Sequence, residues 1–297
     1  MASNEPRRVS RGNRPRWVFI APAAAFFAFV VLWPSIQGVG LSFTSWNGLS
    51  PDRIFVGLDN FVTLLRDPDA GAAVAHTLII AATVTVAQNI IGLLLALGLN
   101  SRIKSRNALR VLLFAPAVIT PVATGYLWQY MLSPTGAINS LLDALGIGAL
   151  KQPWLGSNET AIWAICFVII WQFSGYSMVI FLANLQSVPV EALEAASLDG
   201  AGPIRRFWSV VRPELAPSIT INLMLSLIGG LKTFDQVWVM TGGGPGGATE
   251  TMSTFLYKNA FQFGTFSYGL AIAVVLTVIV AVLSSGQNAL LRRQNGV

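Results

Sequence analysis

"SVPVEALEAASLDGAGPIRRFWSVVRPELAP", Ser187 to Pro217, carries seven charged side chains between two long apolar runs. Around it the chain is nearly uncharged: of 297 residues 54% are hydrophobic and 11% charged, about half the charged share of an ordinary soluble domain. Outward from this stretch, apolar runs long enough to cross a ~30 Å hydrocarbon core, which takes about 20 helical residues, recur at 17–44, 73–99, 108–131, 160–186, 215–240 and 265–290. In lipid the backbone satisfies its own hydrogen bonds only as helices or as a closed barrel of alternating strands, and these runs are continuous. The fold class that follows is all-α, a polytopic membrane protein of six transmembrane helices, with the quoted stretch as a two-helix loop between the fourth and fifth.

Lysine and arginine orient the spans. Arg7, Arg8, Arg11, Arg14 and Arg16 precede the first run, and Arg102, Lys104, Arg106 and Arg110 follow the second. Arg205, Arg206 and Arg212 lie in the quoted loop, and Arg292 and Arg293 follow the sixth run. Fourteen of the nineteen basic residues thus fall on one side, against Arg53, Arg66, Lys151 and Lys258 on the other, which places both termini and the loop in the cytoplasm. The net charge of +6 is then a consequence of topology, and nucleic acid is a poor partner. The first run passes through "APAAA" and continues to Trp33, so it reads as an uncleaved helix and not as a secretory signal. The expected organisation is a disordered basic arm at 1–16, a six-span domain at 17–293 and a short tail at 294–297.

Within the loop at 187–214, Pro189–Leu198 has helical spacing, Gly200, Gly202 and Pro203 break it, and a second short helix runs over Ile204–Val211 until Pro213 stops it. Two readings are open: a solvated loop resting on headgroups, or a surface built to touch a partner. Glu191, Glu194 and Asp199 favour the second, because acid beside anionic headgroups is a poor anchor.

Glu194-Ala195-Ala196, then Asp199-Gly200-Ala201-Gly202, with Phe207 and Pro213 downstream, resembles the EAA loop of the membrane subunits of binding-protein-dependent ABC importers. "LKTFDQVWVMTGGGPGGATET" resembles the end of the fifth span in the sugar-importing branch, which includes the maltose and glycerol-phosphate permeases. With "PAVITPVATGYLWQYML" and "WQFSGYSMVIFLANLQSVP", the resemblance covers roughly Arg16 to Arg293; Arg212 departs from it, standing where the family more often has leucine. The resemblance implies a bacterial inner-membrane permease for a sugar or polyol-like solute, whose first loop helix couples to a cytoplasmic ATPase. It also implies the partners: a second related permease, two ATPase subunits that bind the ATP, and an extracytoplasmic solute-binding protein. Glu194, Ala195, Ala196, Asp199, Gly200 and Ala201 become the coupling residues, the alanines and glycines offering a low surface and the acids offering charge to a partner.

Other chemistries find no support in the sequence. The run Thr241–Gly247 lacks the Lys-Ser/Thr of a phosphate-binding loop and reads as a flexible external turn. His76 and Cys166 are the only residues of their types and read as packing, so no metal set, cofactor or nucleophile–base pair is expected. Polar and aromatic residues inside spans mark a pathway. Trp171, Gln172, Phe173 and Tyr176 in the fourth span, with Ser174 among them, and Asn222, Ser226, Gly229, Gly230 and Thr233 in the fifth are its expected lining, although tight helix packing uses small residues equally well. Lys232 and Asp235, three apart, are expected to pair on one helix face. An ion-coupled secondary transporter is the rival function, and it lacks internal repeats and intramembrane acids other than Asp235. A membrane scaffold would leave the polar stripe without a purpose.

Overall fold

The structure, a computed structural model, describes residues 17–101 and 104–294; the basic arm at 1–16 and residues 295–297 lie outside them. Among the described residues the only strands are the two-residue pair Thr44–Ser45 and Ile54–Phe55, and all other regular structure is helical. Four helices are long and apolar enough to cross a membrane unaided: Phe19–Leu41, Pro68–Leu99, Ala161–Leu185 and Phe266–Leu291. The second begins where Asp67 caps it, its side chain accepting from the Asp69 and Ala70 amides ahead of a first-turn Pro68.

The runs at 108–131 and 215–240 depart from the straight spans expected there. The third is two helices, Arg106–Val118 and Pro121–Met131, meeting at 96°. Ile119 and Thr120 are extended, Thr120 caps the second half by accepting from the Ala123 amide at 3.4 Å, and Pro121 opens it. The cause is local: a residue before proline avoids the helical region, so Thr120-Pro121 ends one helix and starts the next. The fifth run is helical over Ala216–Leu231, breaks at Lys232–Phe234, and resumes as Asp235–Thr241. Gly229-Gly230 precedes this break, and glycine is the weakest helix former after proline.

Proline acts differently in the loop. The helix entered at Pro203 does not stop at Pro213 but continues to Glu214, and it meets Ala216–Leu231 at 71°. A wide π turn over Phe207–Val211, with the Arg212 amide reaching back to the Phe207 carbonyl, comes just before Pro213. The same device precedes Pro34, where Ala28–Leu32 is the wide turn. Proline clashes with the carbonyl four residues back, and a widened turn displaces that carbonyl.

The centre of the bundle is Ala161–Leu185, packed chiefly against Pro68–Leu99 and Arg106–Val118. Helices associate in lipid without a hydrophobic drive, so close backbone approach at small residues matters. At Gly175 a Cβ would fall on the carbonyl of Leu113, and at Gly92 one would meet Ser177. The first span is by contrast bare, with Phe19, Phe26 and Phe29 exposed along it.

Candidate functional site

Both helix breaks open onto one cavity of about 320 Å³. Pro121 contributes from the third span, and Lys232, Thr233, Phe234, Asp235 and Gln236 from the break in the fifth. Gln88 enters from the second span and Tyr176 from the fourth. The wall therefore mixes aromatic faces with amides, hydroxyls and one charge of each sign.

Of the nine residues expected along a pathway, Phe173, Tyr176, Asn222, Ser226, Gly229, Gly230 and Thr233 line this cavity. Trp171 and Gln172 do not. Three consecutive helical residues, here Trp171, Gln172 and Phe173, point in directions about 100° apart and cannot share one face. Trp171 turns to the other side, edge-on to Trp128 at 5.2 Å. Gln172 is 0% exposed and serves the breaks instead. Its Nε2 donates to the Ile119 carbonyl at 2.9 Å, and its Oε1 accepts from Gln236 Nε2 at 3.0 Å. A carbonyl freed by a broken helix in lipid needs a partner inside the protein, and Gln172 is that partner.

The two glycines, alike in sequence, separate in space. Gly230 is buried against the backbone of Ala81, where a Cβ would lie 2.7 Å from the Ala81 Cα, whereas Gly229 has nothing within 4 Å of its Cβ direction. Gly230 therefore packs and Gly229 leaves room.

Gln88, Asn89 and Gln236 lie outside the lining expected from the sequence, although amides within apolar runs carry the same signal as Gln172. Gln88 Nε2 donates to Ser177 Oγ at 2.9 Å, and Asn89 Nδ2 donates to Ser226 Oγ at 2.8 Å. Ser226 Oγ donates in turn to the Asn222 carbonyl at 2.7 Å. These bonds join the second, fourth and fifth spans behind the wall and fix which polar atoms remain to face the cavity.

Lys232 and Asp235 do not pair: among the described residues the ion pairs within 4.0 Å are Lys151–Asp143 and Lys258–Glu250. Pairing three apart needs a continuous helix, and the helix ends at Leu231. The run Thr241–Gly247 is pinned and not the flexible turn expected of it. Thr249 Oγ1 donates to the Gly244 carbonyl and also meets Thr241 Oγ1, each at 2.7 Å. The half-buried Glu250–Lys258 pair sits against Gly243, and His76 Nδ1 lies 3.1 Å from the Glu250 carbonyl.

At the end of the bundle carrying the charged loop, the helix Val190–Leu198 closes with both bonds of a Schellman motif: the Ala201 amide donates to the Ala196 carbonyl at 2.9 Å and the Gly200 amide to the Ser197 carbonyl at 3.1 Å. Gly200 has φ +75°, the left-handed conformation this motif requires. Arg206 Nη1 donates to Ser197 Oγ at 2.8 Å and holds the second loop helix on the first. Glu194, Ala195, Asp199 and Gly200 are exposed, Ala196 and Ala201 half-buried, and Leu198 is 90% exposed beside them.

The family described as "Binding-protein-dependent transport system inner membrane component" matches residues 88–296. A probable ABC transporter permease protein of Bacillus subtilis, YurN, is 36% identical over 271 residues, covering 90% of this chain and 92% of that one. The probable starch degradation products transport system permease protein AmyD of Thermoanaerobacterium thermosulfurigenes is 35% identical over 268 residues, 90% of each chain. A solved bacterial ABC transporter that imports the acidic polysaccharide alginate shares the fold, with TM-score 0.81, 23% identity and 93% and 94% of the two chains covered.

Proposed function

We propose that this chain, which belongs to the binding-protein-dependent inner-membrane transport family and is a permease subunit of an ABC importer, passes a sugar or polyol-like solute through the cavity at its two helix breaks. Membership in that family leaves no place for the ion-coupled transporter or for an enzyme. The observation that carries the sugar reading is the cavity wall: Phe173, Tyr176 and Phe234 offer ring faces to the apolar side of a pyranose, while Gln88, Thr233 and Gln236 offer donors and acceptors to its hydroxyls. Lys232 and Asp235, unpaired with each other, add a strong donor and a strong acceptor at the rim. The relative AmyD, named for starch degradation products, points to the same class.

In this reading a second permease supplies the other half of the pathway, two ATPase subunits bind ATP in the cytoplasm, and a solute-binding protein delivers the sugar from outside. The exposed face of Val190–Leu198, with Glu194 free of any ion pair among the described residues, meets the ATPase. Both termini are cytoplasmic, in a bacterial inner membrane. A cysteine at Ser50 is then expected to react with an impermeant thiol reagent from outside, and one at Ser105 only after permeabilisation; the reverse pattern would overturn this orientation.

The test of the pathway is Tyr176→Ala. Losing one stacking face costs about 0.5–1.5 kcal/mol beyond area, so uptake at limiting solute is expected to fall several-fold with ATPase association intact. Uptake at the unmodified level would assign Tyr176 to packing.

A further inference from the structure

The charged loop leaves the fourth span at Gln186 and rejoins the bundle at Leu215, and both roots are held. Asn184 Nδ2 donates to the Glu214 carbonyl at 3.1 Å, tying one root to the other. Gln186 faces the guanidiniums of both Arg106 and Arg110, and its amide is assigned with the oxygen toward them, the orientation in which it accepts from Arg106 Nη2 and, at 3.2 Å, from Arg110 Nη2. The two arginines stand four apart on one helix face. Among the described residues neither has a carboxylate within 4.0 Å, and the Nε of each is buried without an acceptor. Arginines that merely mark the cytoplasmic surface extend their heads into water. These two are instead folded onto the protein, with a neutral amide as their shared acceptor.

We infer that Arg106 and Arg110 are positioning residues of the coupling step, fastening the root of the loop to the first half of the third span so that loop movement reaches the break at Ile119–Thr120. The inference rests on the proposed ATPase coupling. The helix Arg106–Val118 has 13 residues and is about 20 Å long. It lies against the fourth span so closely that Gly175 leaves no space for a Cβ at Leu113. At its far end the Ile119 carbonyl is held by Gln172, which also holds Gln236 on the cavity wall. The two helices are thus joined at both ends and in the middle, and they move as one body. The second half, Pro121–Met131, turns away at the break and packs chiefly on Asp235–Thr241, with Gly125 against Val239, while Trp128 keeps it in touch with Trp171 of the fourth span. The break lies between the two halves, next to the cavity proposed for the solute.

The experiment uses the assembled importer with spin labels at Leu112 and Tyr130, 68% and 75% exposed on either side of the break, in a Cys166→Ala background. The inter-label distance is measured with and without vanadate-trapped nucleotide, alongside ATP hydrolysed per solute imported. The unmodified arginines are expected to give a nucleotide-dependent shift. Arg106→Gln/Arg110→Gln is expected to lose that shift and to raise ATP hydrolysed per solute by about three- to tenfold, with the ATPase subunits still bound. Arg106→Lys/Arg110→Lys, which keeps two donors, should recover part of both, a rescue that a loss of general stability would not show. Gln186→Leu removes the shared acceptor from an exposed position and should reproduce the loss even where the double variant assembles poorly. A full-sized shift with normal stoichiometry in Gln186→Leu or in the double glutamine variant overturns the inference, as does the absence of any shift with the native arginines. Failure of the ATPase to bind the unmodified subunit would overturn the coupling reading itself.

Discussion

Gly175→Val is expected to abolish assembly of the subunit. Even a Cβ at this position falls on the Leu113 carbonyl oxygen, and the obstacle is backbone, so no side chain can rotate out of the way. Overpacking of cores costs about 1–3 kcal/mol where neighbours adjust; here the third and fourth spans must part, and the Ile119–Gln172 bond is strained with them. Size-exclusion profiles of the extracted importer measure the effect: a monodisperse peak at unmodified yield would disprove the close approach. Gly229→Val is the control, since nothing stands within 4 Å of its Cβ direction, and it should assemble normally.

Glu194→Lys is expected to reduce uptake at least tenfold while the subunit remains in the membrane. A charge-assisted hydrogen bond to a basic group contributes about 1.5–3 kcal/mol, and each 1.4 kcal/mol is tenfold in an equilibrium constant. Reversing the charge adds repulsion to the lost bond. Co-purification of the ATPase and solute-stimulated hydrolysis report the loss directly, and normal values of both with normal uptake would leave the loop as a solvated surface. Gly200→Val should act through a different cause. No atom lies within 4 Å of a Cβ there, but φ +75° is left-handed, which costs a side-chain-bearing residue about 1–2 kcal/mol. The turn that aims Val190–Leu198 is therefore sensitive to conformation and not to bulk.

The apolar runs were legible because hydropathy over about 20 residues is a strong signal. The same averaging concealed the breaks: Pro116, Thr120 and Pro121 lie in plain view at 116–121, yet the residues around them are apolar enough to carry the run straight through. The spacing of Lys232 and Asp235 implies a pair only on a continuous helix, and the helix ends at Leu231. Trp171 and Gln172 adjoin Phe173 in sequence, but the turn of the helix divides them in space. Gln88 and Gln236 carried the signal that marked Gln172, but they stood singly and not in a polar cluster. Whether a glycine packs or leaves room is set by a distant segment, here Ala81 for Gly230, and no local pattern contains it.

Neighbouring positions 229 and 230 consequently have opposite tolerances. At 230 a substitution disturbs the contact with the second span and so the stability of the whole bundle. At 229 an added methyl or larger group enters a space of about 320 Å³ and changes only what fits there. On the proposed pathway, position 229 is where a substitution is expected to change the size of solute accepted without disturbing the framework, so a chain of this design could acquire a new diet by one substitution while keeping its architecture.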